Sequence, residues 1–191
     1  MSPRRPTPGP LPSPDTDAPR RFGSAGDPAG GAEFSRCGRY RYLLTRTWDP
    51  ARERVVFIGL NPSTADATRD DPTIRRIVGF ARRWGAGGVD VLNLFAYRAT
   101  DPRAMKAAAD PVGPENDRYL AAYAGCAAVT VAAWGVHGAH RGRAEAVAAW
   151  LGDLRCLGTT RAGHPRHPLY LRRNTPLQRW TARAPRPEAP R

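Results

Sequence analysis

Three short, mainly apolar runs, residues 55–60 (VVFIGL), 89–94 (VDVLNL) and 127–133 (AAVTVAA), recur along the chain, each followed by a helical pattern. Runs of this length are too short for a buried helix and read as strands covered on both faces. Strands that alternate with helices form a mainly parallel sheet with right-handed crossovers and helices on both sides. The expected fold is therefore a three-layer α/β/α domain. Before the first run, residues 39–47 (RYRYLLTRT) mix β-formers with outward arginines and are expected to form an edge strand paired to 55–60. Residues 155–158 begin a short last strand.

The helices carry clearer punctuation. Asp71-Pro72 supplies an N-cap followed by a first-turn proline, so a helix starts there. Within it Ile74, Ile77, Val78 and Ala81 fall on one face, while Arg75, Arg76, Arg82 and Arg83 share the other as an arginine stripe. A second helix is expected over 115–124, opened by Pro114. A third spans 140–154, with Ala144, Val147, Ala148, Leu151 and Leu154 on one side.

Composition sets the outer limits. Residues 1–33 are rich in Pro, Gly, Ser and Asp without apolar periodicity, and are expected to be a disordered tail. A single domain over 34–180 and a basic disordered tail over 181–191 complete the organisation. Of the formal net charge of +13, almost all falls on the domain, because charges cancel within 1–33 and few lie beyond Trp180. Such a surplus favours polyanions, so nucleic acid or a nucleotide is the natural partner class. A lone Lys106 among so many arginines is also what a biased genomic base composition produces, with the charge merely solvated. Cys37, Cys126 and Cys156 have no CxxC spacing, and the chain shows no secretory segment or long apolar run. The expectation is a monomeric cytoplasmic protein with reduced thiols and no membrane partner.

In parallel sheets ligands bind beyond the carboxyl ends of the strands, and there the unusual residues collect. The loops read GLNPSTAD (59–66), NLFAYR (93–98), WGVHGAH (134–140) and GHPRHPLY (163–170). Gly59 and Pro62 suit a tight turn that lets a ligand approach backbone. Asn61 offers an amide to a water or a base edge, or else closes the strand with an Asx-turn. Asn93 has the same two readings: a pyrimidine edge or a loop carbonyl. Phe95 and Tyr97 either stack on a ligand ring or pack in the core. All four histidines, His137, His140, His164 and His167, lie in the last two loops. Their spacing within Gly- and Pro-broken loops argues for a polar site residue and against a metal, and no cofactor is expected. Asp66 and Asp70 are candidate water ligands or ordinary loop carboxylates, and Asp71 is best explained as the cap. The chain contains no P-loop or GxGxxG motif.

On GLNPSTAD, DPT, VLNLF, AAWG and HPLYL, spread over residues 40–170, the chain is identified as a member of a bacterial and phage family of unassigned function. More distantly it resembles the uracil-DNA glycosylase superfamily. That likeness matches Asn61 in GLNP to a water-positioning Asn and Asn93 to a base-reading Asn. It also matches Trp134-Gly135 to a Trp-Gly turn, and His167-Pro168, or His164-Pro165, to a His-Pro loop. His167 is preferred because HPLYL is the fuller match to the nearer family. Two departures stand out: GLNPS lacks the acidic residue of the most active glycosylases, and Leu-Tyr-Leu replaces a DNA-binding Ser-Pro.

The resemblance implies a uracil-DNA-glycosylase-like fold and an N-glycosidase mechanism. Asn61 and His167 are its catalytic residues; Gly59, Pro62, Asn93, Phe95, Tyr97, Trp134 and His164 bind substrate. Arg75, Arg76, Arg82 and Arg83 would contact the phosphates of a DNA whose base is flipped out. The rival readings are an enzyme on free nucleosides or nucleotides and a non-catalytic nucleobase-binding module. One consequence is sharp: Asn61, Asn93 and His167 should line one cavity with an aromatic wall.

Overall fold

The computed structural model describes residues 30–182. They form a mixed α/β structure around one seven-stranded sheet. The strands are β1 (Gly30–Phe34), β2 (Arg41–Thr47), β3 (Arg54–Gly59), β4 (Gly88–Asn93), β5 (Thr130–Ala132), β6 (Leu154–Cys156) and β7 (Gln178–Trp180). The helices are α1 (Pro72–Arg83), α2 (Pro102–Ala107), α3 (Asn116–Ala124) and α4 (Arg143–Leu151), with 3-10 turns at Val136–Gly142 and Pro168–Tyr170.

The sheet order is β1-β2-β4-β3-β5-β6-β7. The four central strands β4, β3, β5 and β6 are mutually parallel, and β1, β2 and β7 are added antiparallel at the margins. Chain direction reverses its sideways progress at β3: β4 lies on one side of it and β5 on the other. Right-handed crossovers then oblige α1 to cover one face and α3 and α4 the other. The buried side chains divide accordingly. Ile74, Ile77 and Phe80 of α1 pack on Phe57, Val91 and Val131, while Leu120 and Val147 pack with Ile58, Leu92 and Ala132. Each fully buried aliphatic or aromatic side chain contributes about 1.5–3 kcal/mol.

Several sequence expectations need correction. Strand β2 is not an edge and does not pair with β3; it lies between β1 and β4, and its first five residues are buried. The edge is β1, which takes in residues 30–33 of the segment expected to be disordered. Strand pairing is carried by backbone groups, so a Gly-rich segment such as GGAEF joins a sheet without any apolar signature. The expectations for residues 1–29 and 183–191 lie outside the described residues. Strand β5 is shorter than its apolar run, and the helix expected over 140–154 is trimmed to α4, with residues 140–142 in the 3-10 turn and Leu154 in β6. The edge strand β7 and the short α2, capped by Asp101, had no counterpart in the sequence reading. On α1 the buried set is Ile74, Ile77, Phe80 and Ala81, with Val78 only half-buried. Among the described residues no helix is long and apolar enough to cross a membrane.

Candidate functional site

The reversal at β3 opens a crevice at the carboxyl ends of the parallel strands, the place such sheets offer a ligand. A cavity of about 530 Å³ occupies it, and Gly59, Asn61, Asn93, Trp134, Gly135 and His167 are among its lining residues. Asn61 after β3, Asn93 at the end of β4 and His167 in the loop after β6 are thus brought to one cavity.

The β3 end is held by its neighbour. The Leu94 and Phe95 amides donate to the Gly59 and Leu60 carbonyls, both at 3.0 Å, extending the ladder past the strand ends. Asn61 Nδ2 donates to the Ala99 carbonyl at 2.7 Å and to its neighbour Pro62 at 3.1 Å. Both bonds are made by Nδ2, so among the described residues Oδ1 remains as the acceptor end of the amide. Gly59 is required by contact: a Cβ there would stand 2.7 Å from Asn93 Nδ2.

Asn93 is only 5% exposed, yet its Oδ1 has no hydrogen-bond partner. Its position is fixed from behind. Asn116 Nδ2 donates to the carbonyls of Asn93 and Leu94, both at 3.0 Å, and Arg143 Nε donates to Leu94 at 3.0 Å while pairing with Asp117. Sequence reasoning missed Asn116 and Arg143, because a buried polar residue at a helix start has the same local pattern as an exposed one.

On the opposite wall Gly135 has φ +70°, a conformation that favours glycine, and it turns the chain away after Trp134. The Trp134 ring is buried edge-on against Trp180 at 5.2 Å. From the last loop, His167 Nδ1 accepts the Leu169 amide at 3.4 Å, so the neutral ring carries its proton on Nε2 as a donor. Burial pushes the His167 pKa below the ordinary value, with Asp71 opposing weakly; the imidazole is neutral at pH 7. Tyr170, absent from the sequence-based site, is 77% exposed and lies 5.8 Å from the His167 ring.

Other predicted site residues are elsewhere. Phe95 is fully buried in the core, packed on His140 at 5.7 Å, and takes no part in the cavity wall. Tyr97 packs edge-on against Tyr40 at 6.0 Å and borders a separate shallow depression. Phe95 is a core aromatic and Tyr97 a half-buried one packed against the core, because the chain after β4 folds back across the sheet end. Pro62 shapes the turn, its carbonyl receiving the Ala99 amide at 2.9 Å, and does not line the cavity. His164 is also outside it; its carbonyl receives the Thr160 amide at 2.8 Å in a turn. His137 does line it, with Nδ1 3.2 Å from Lys106 Nζ. Among the described residues no group of three or more His, Cys, Asp or Glu gathers as a metal site would.

The arginine stripe is thinner than expected. Arg76 donates inward to the Leu171 carbonyl, and Arg82 lies 4.5 Å over the Trp48 ring. Arg75 and Arg83 stay exposed and, with Arg76 and Arg173, line a groove of about 730 Å³ along α1. Leu169 borders both groove and cavity. Asp66 closes its own loop, accepting the Thr68 and Arg69 amides at 2.9 and 2.8 Å, and those bonds hold its pKa down. Asp70 pairs with Arg46 at 2.8 Å. Asp71 caps α1 by accepting the Ile74 amide at 2.9 Å and also lines the cavity.

A mixed sheet with a cavity at the switch point of its parallel strands defines an α/β protein whose candidate site is built from strand-end loops. The chain belongs to the family described as Protein of unknown function (DUF1643), which matches residues 41–169. No curated protein and no solved structure matches it.

Proposed function

We propose that this domain recognises a nucleobase and hydrolyses its N-glycosidic bond, in the manner of a uracil-DNA glycosylase. The observation that carries the reading is the buried, partnerless carboxamide oxygen of Asn93 in the wall of a cavity shared with Asn61 and His167. A buried amide without a partner is costly, and the amide-like edge of a base would satisfy it. In the transition state the sugar becomes oxocarbenium-like and the base departs as an anion. His167 Nε2–H donates to the base oxygen, where a preorganised donor in a desolvated site is most effective. Asn93 reads the ring edge, and Asn61 Oδ1 accepts a hydrogen bond from the attacking water and holds it in place; the water's proton leaves to solvent, and the departed base anion is protonated from solvent. Water oxygen bonds to the sugar carbon as the carbon–nitrogen bond breaks. Tyr170 takes the stacking role first given to Phe95 and Tyr97. The groove of Arg75, Arg83 and Arg173 beside the cavity gives its entrance a positive field that favours phosphorylated substrates.

Screening the purified protein for base release from modified DNA and from a nucleoside panel tests the reading. Release is expected, with Asn61→Ala losing turnover while keeping affinity. A wild-type protein that binds bases without ever releasing them would be a binding module; one that binds none would remove the nucleobase reading altogether.

A further inference from the structure

Arg41, at the start of β2, is 3% exposed and lines the same cavity on its α1 side. Its Nη1 donates to the Ala65 carbonyl at 2.7 Å, but Nε is buried with no partner. Three other largely buried arginines are neutralised, Arg46 by Asp70, Arg54 by Asp90 and Arg143 by Asp117, while Arg76 is half-buried on the Leu171 carbonyl. Among the described residues Arg41 has no such ion pair. Burial pushes its pKa down to about 10, opposed first by the charge of Asp71, a carboxylate in the lining of the same cavity that makes no ion pair with it, so the guanidinium is charged at neutral pH. A buried cation without a counter-ion is a standing cost to the fold, which an anion in the cavity would remove. Ser63, Thr73 and Thr100 bring hydroxyls to the lining, and Arg166 a second cation. The amino end of α1 borders the same space but is already capped by Asp71, so the anion site falls to Arg41 and these hydroxyls.

We propose that this cavity holds a phosphate monoester on Arg41, and that its ligand is a mononucleotide whose base meets Asn93 and His167. A tetrahedral phosphate accepts more donors than a carboxylate and suits a guanidinium fork with hydroxyls around it. The volume of about 530 Å³ falls in the ~300–1,000 Å³ range of sites that enclose a whole small molecule. A terminal phosphate can reach so buried a guanidinium, whereas an internal phosphodiester would have to bring chain past it on both sides. Arg41 on β2 and Asn93 on β4 sit on adjacent strands at one end of the sheet, so a single small molecule can engage both. The base half of this assignment rests on the nucleobase reading; the phosphate half does not.

The test is calorimetric titration of the full chain with purine and pyrimidine nucleosides, their 5′-monophosphates and ribose 5-phosphate. At least one monophosphate is expected to bind about tenfold or more tightly than its nucleoside. Arg41→Met should abolish that preference and Arg41→Lys should reduce it, with circular dichroism and melting curves establishing that each variant is folded. Should Arg41→Met not fold, the preference in the wild type and its reduction in Arg41→Lys decide. Equal affinity for nucleoside and monophosphate, survival of the preference in Arg41→Met, or binding of none of these probes overturns the proposal. Nucleoside binding that depends on Asn93 without any gain from phosphate would overturn it and leave the nucleobase reading intact. Arg41-dependent binding of ribose 5-phosphate, with no nucleotide bound more tightly, would uphold the phosphate anchor and remove the nucleobase.

Discussion

Asn93 keeps a carboxamide oxygen in the protein interior with nothing to bond it, and the stability of the free protein gains little from that side chain. Asn93→Ala is therefore expected to change unfolding free energy by less than about 1 kcal/mol while weakening ligand binding at least about tenfold; denaturation and titration of the same variant check both. His167 supplies a pH prediction. Burial lowers its folded pKa below the ordinary 6.5, so in mildly acidic solution the unfolded chain binds a proton that the folded one refuses. Stability is lost as pH falls from about 6.5 through the folded value. His140 is shifted the same way, by burial first and then by Arg141 and Lys106, so His167→Gln should reduce the fall in melting temperature between pH 7 and 5 without abolishing it. A variant whose acid sensitivity matched the wild type would show that His167 is freely hydrated. At this scale the residue types at strand ends were legible, because amides and imidazoles in Gly- and Pro-broken loops are seldom there for packing. Which of them faced inward was not: Phe95 and Tyr97 look alike in sequence to a stacking pair, and only the fold-back after β4 sends Phe95 to the core and Tyr97 to its margin beside Tyr40.

Strand β1 is the element that composition concealed. Its pairing with β2 runs from Gly30 opposite Arg46 to Phe34 opposite Arg41, Tyr119 donates to Glu33, and Arg98 lies 4.8 Å over the Phe34 ring. A chain beginning at residue 35 should therefore melt below one beginning at residue 30. With roughly 2 kcal/mol of ladder hydrogen bonding lost, the difference is about 4–8 °C at this size, and equal melting temperatures would show that the strand is ornamental to the sheet. Helix α1 was legible almost residue by residue, because a capping Asp, a first-turn proline and a 3.6-residue apolar period act locally. The ends of the third helix were not: His140 opens no helix, because Arg141 and Gly142 take positive φ, so the 3-10 turn from Val136 closes before α4 starts at Arg143.

Over the whole molecule, the charge of +13 predicts that any polyanion binding falls with salt, and the groove along α1 says which arginines matter. Neutralising Arg75, Arg83 and Arg173 together should reduce the slope of log affinity against log salt for single-stranded DNA by about 2–3. Arg82→Ala should leave it unchanged, since that guanidinium already rests on Trp48. An equal effect from both would place the contact elsewhere. By itself the sequence determined the alternation of strands and helices, the parallel centre of the sheet and the edge at which its loops collect, since these follow from local periodicity and crossover handedness. Only the tertiary structure decided that β2 inserts between β1 and β4, that Arg41 ends buried without a carboxylate partner, and that His167 lines the cavity while His164 does not. Pairing partners and burial are set by contacts between segments far apart in the chain, and no local pattern encodes which distant segment arrives.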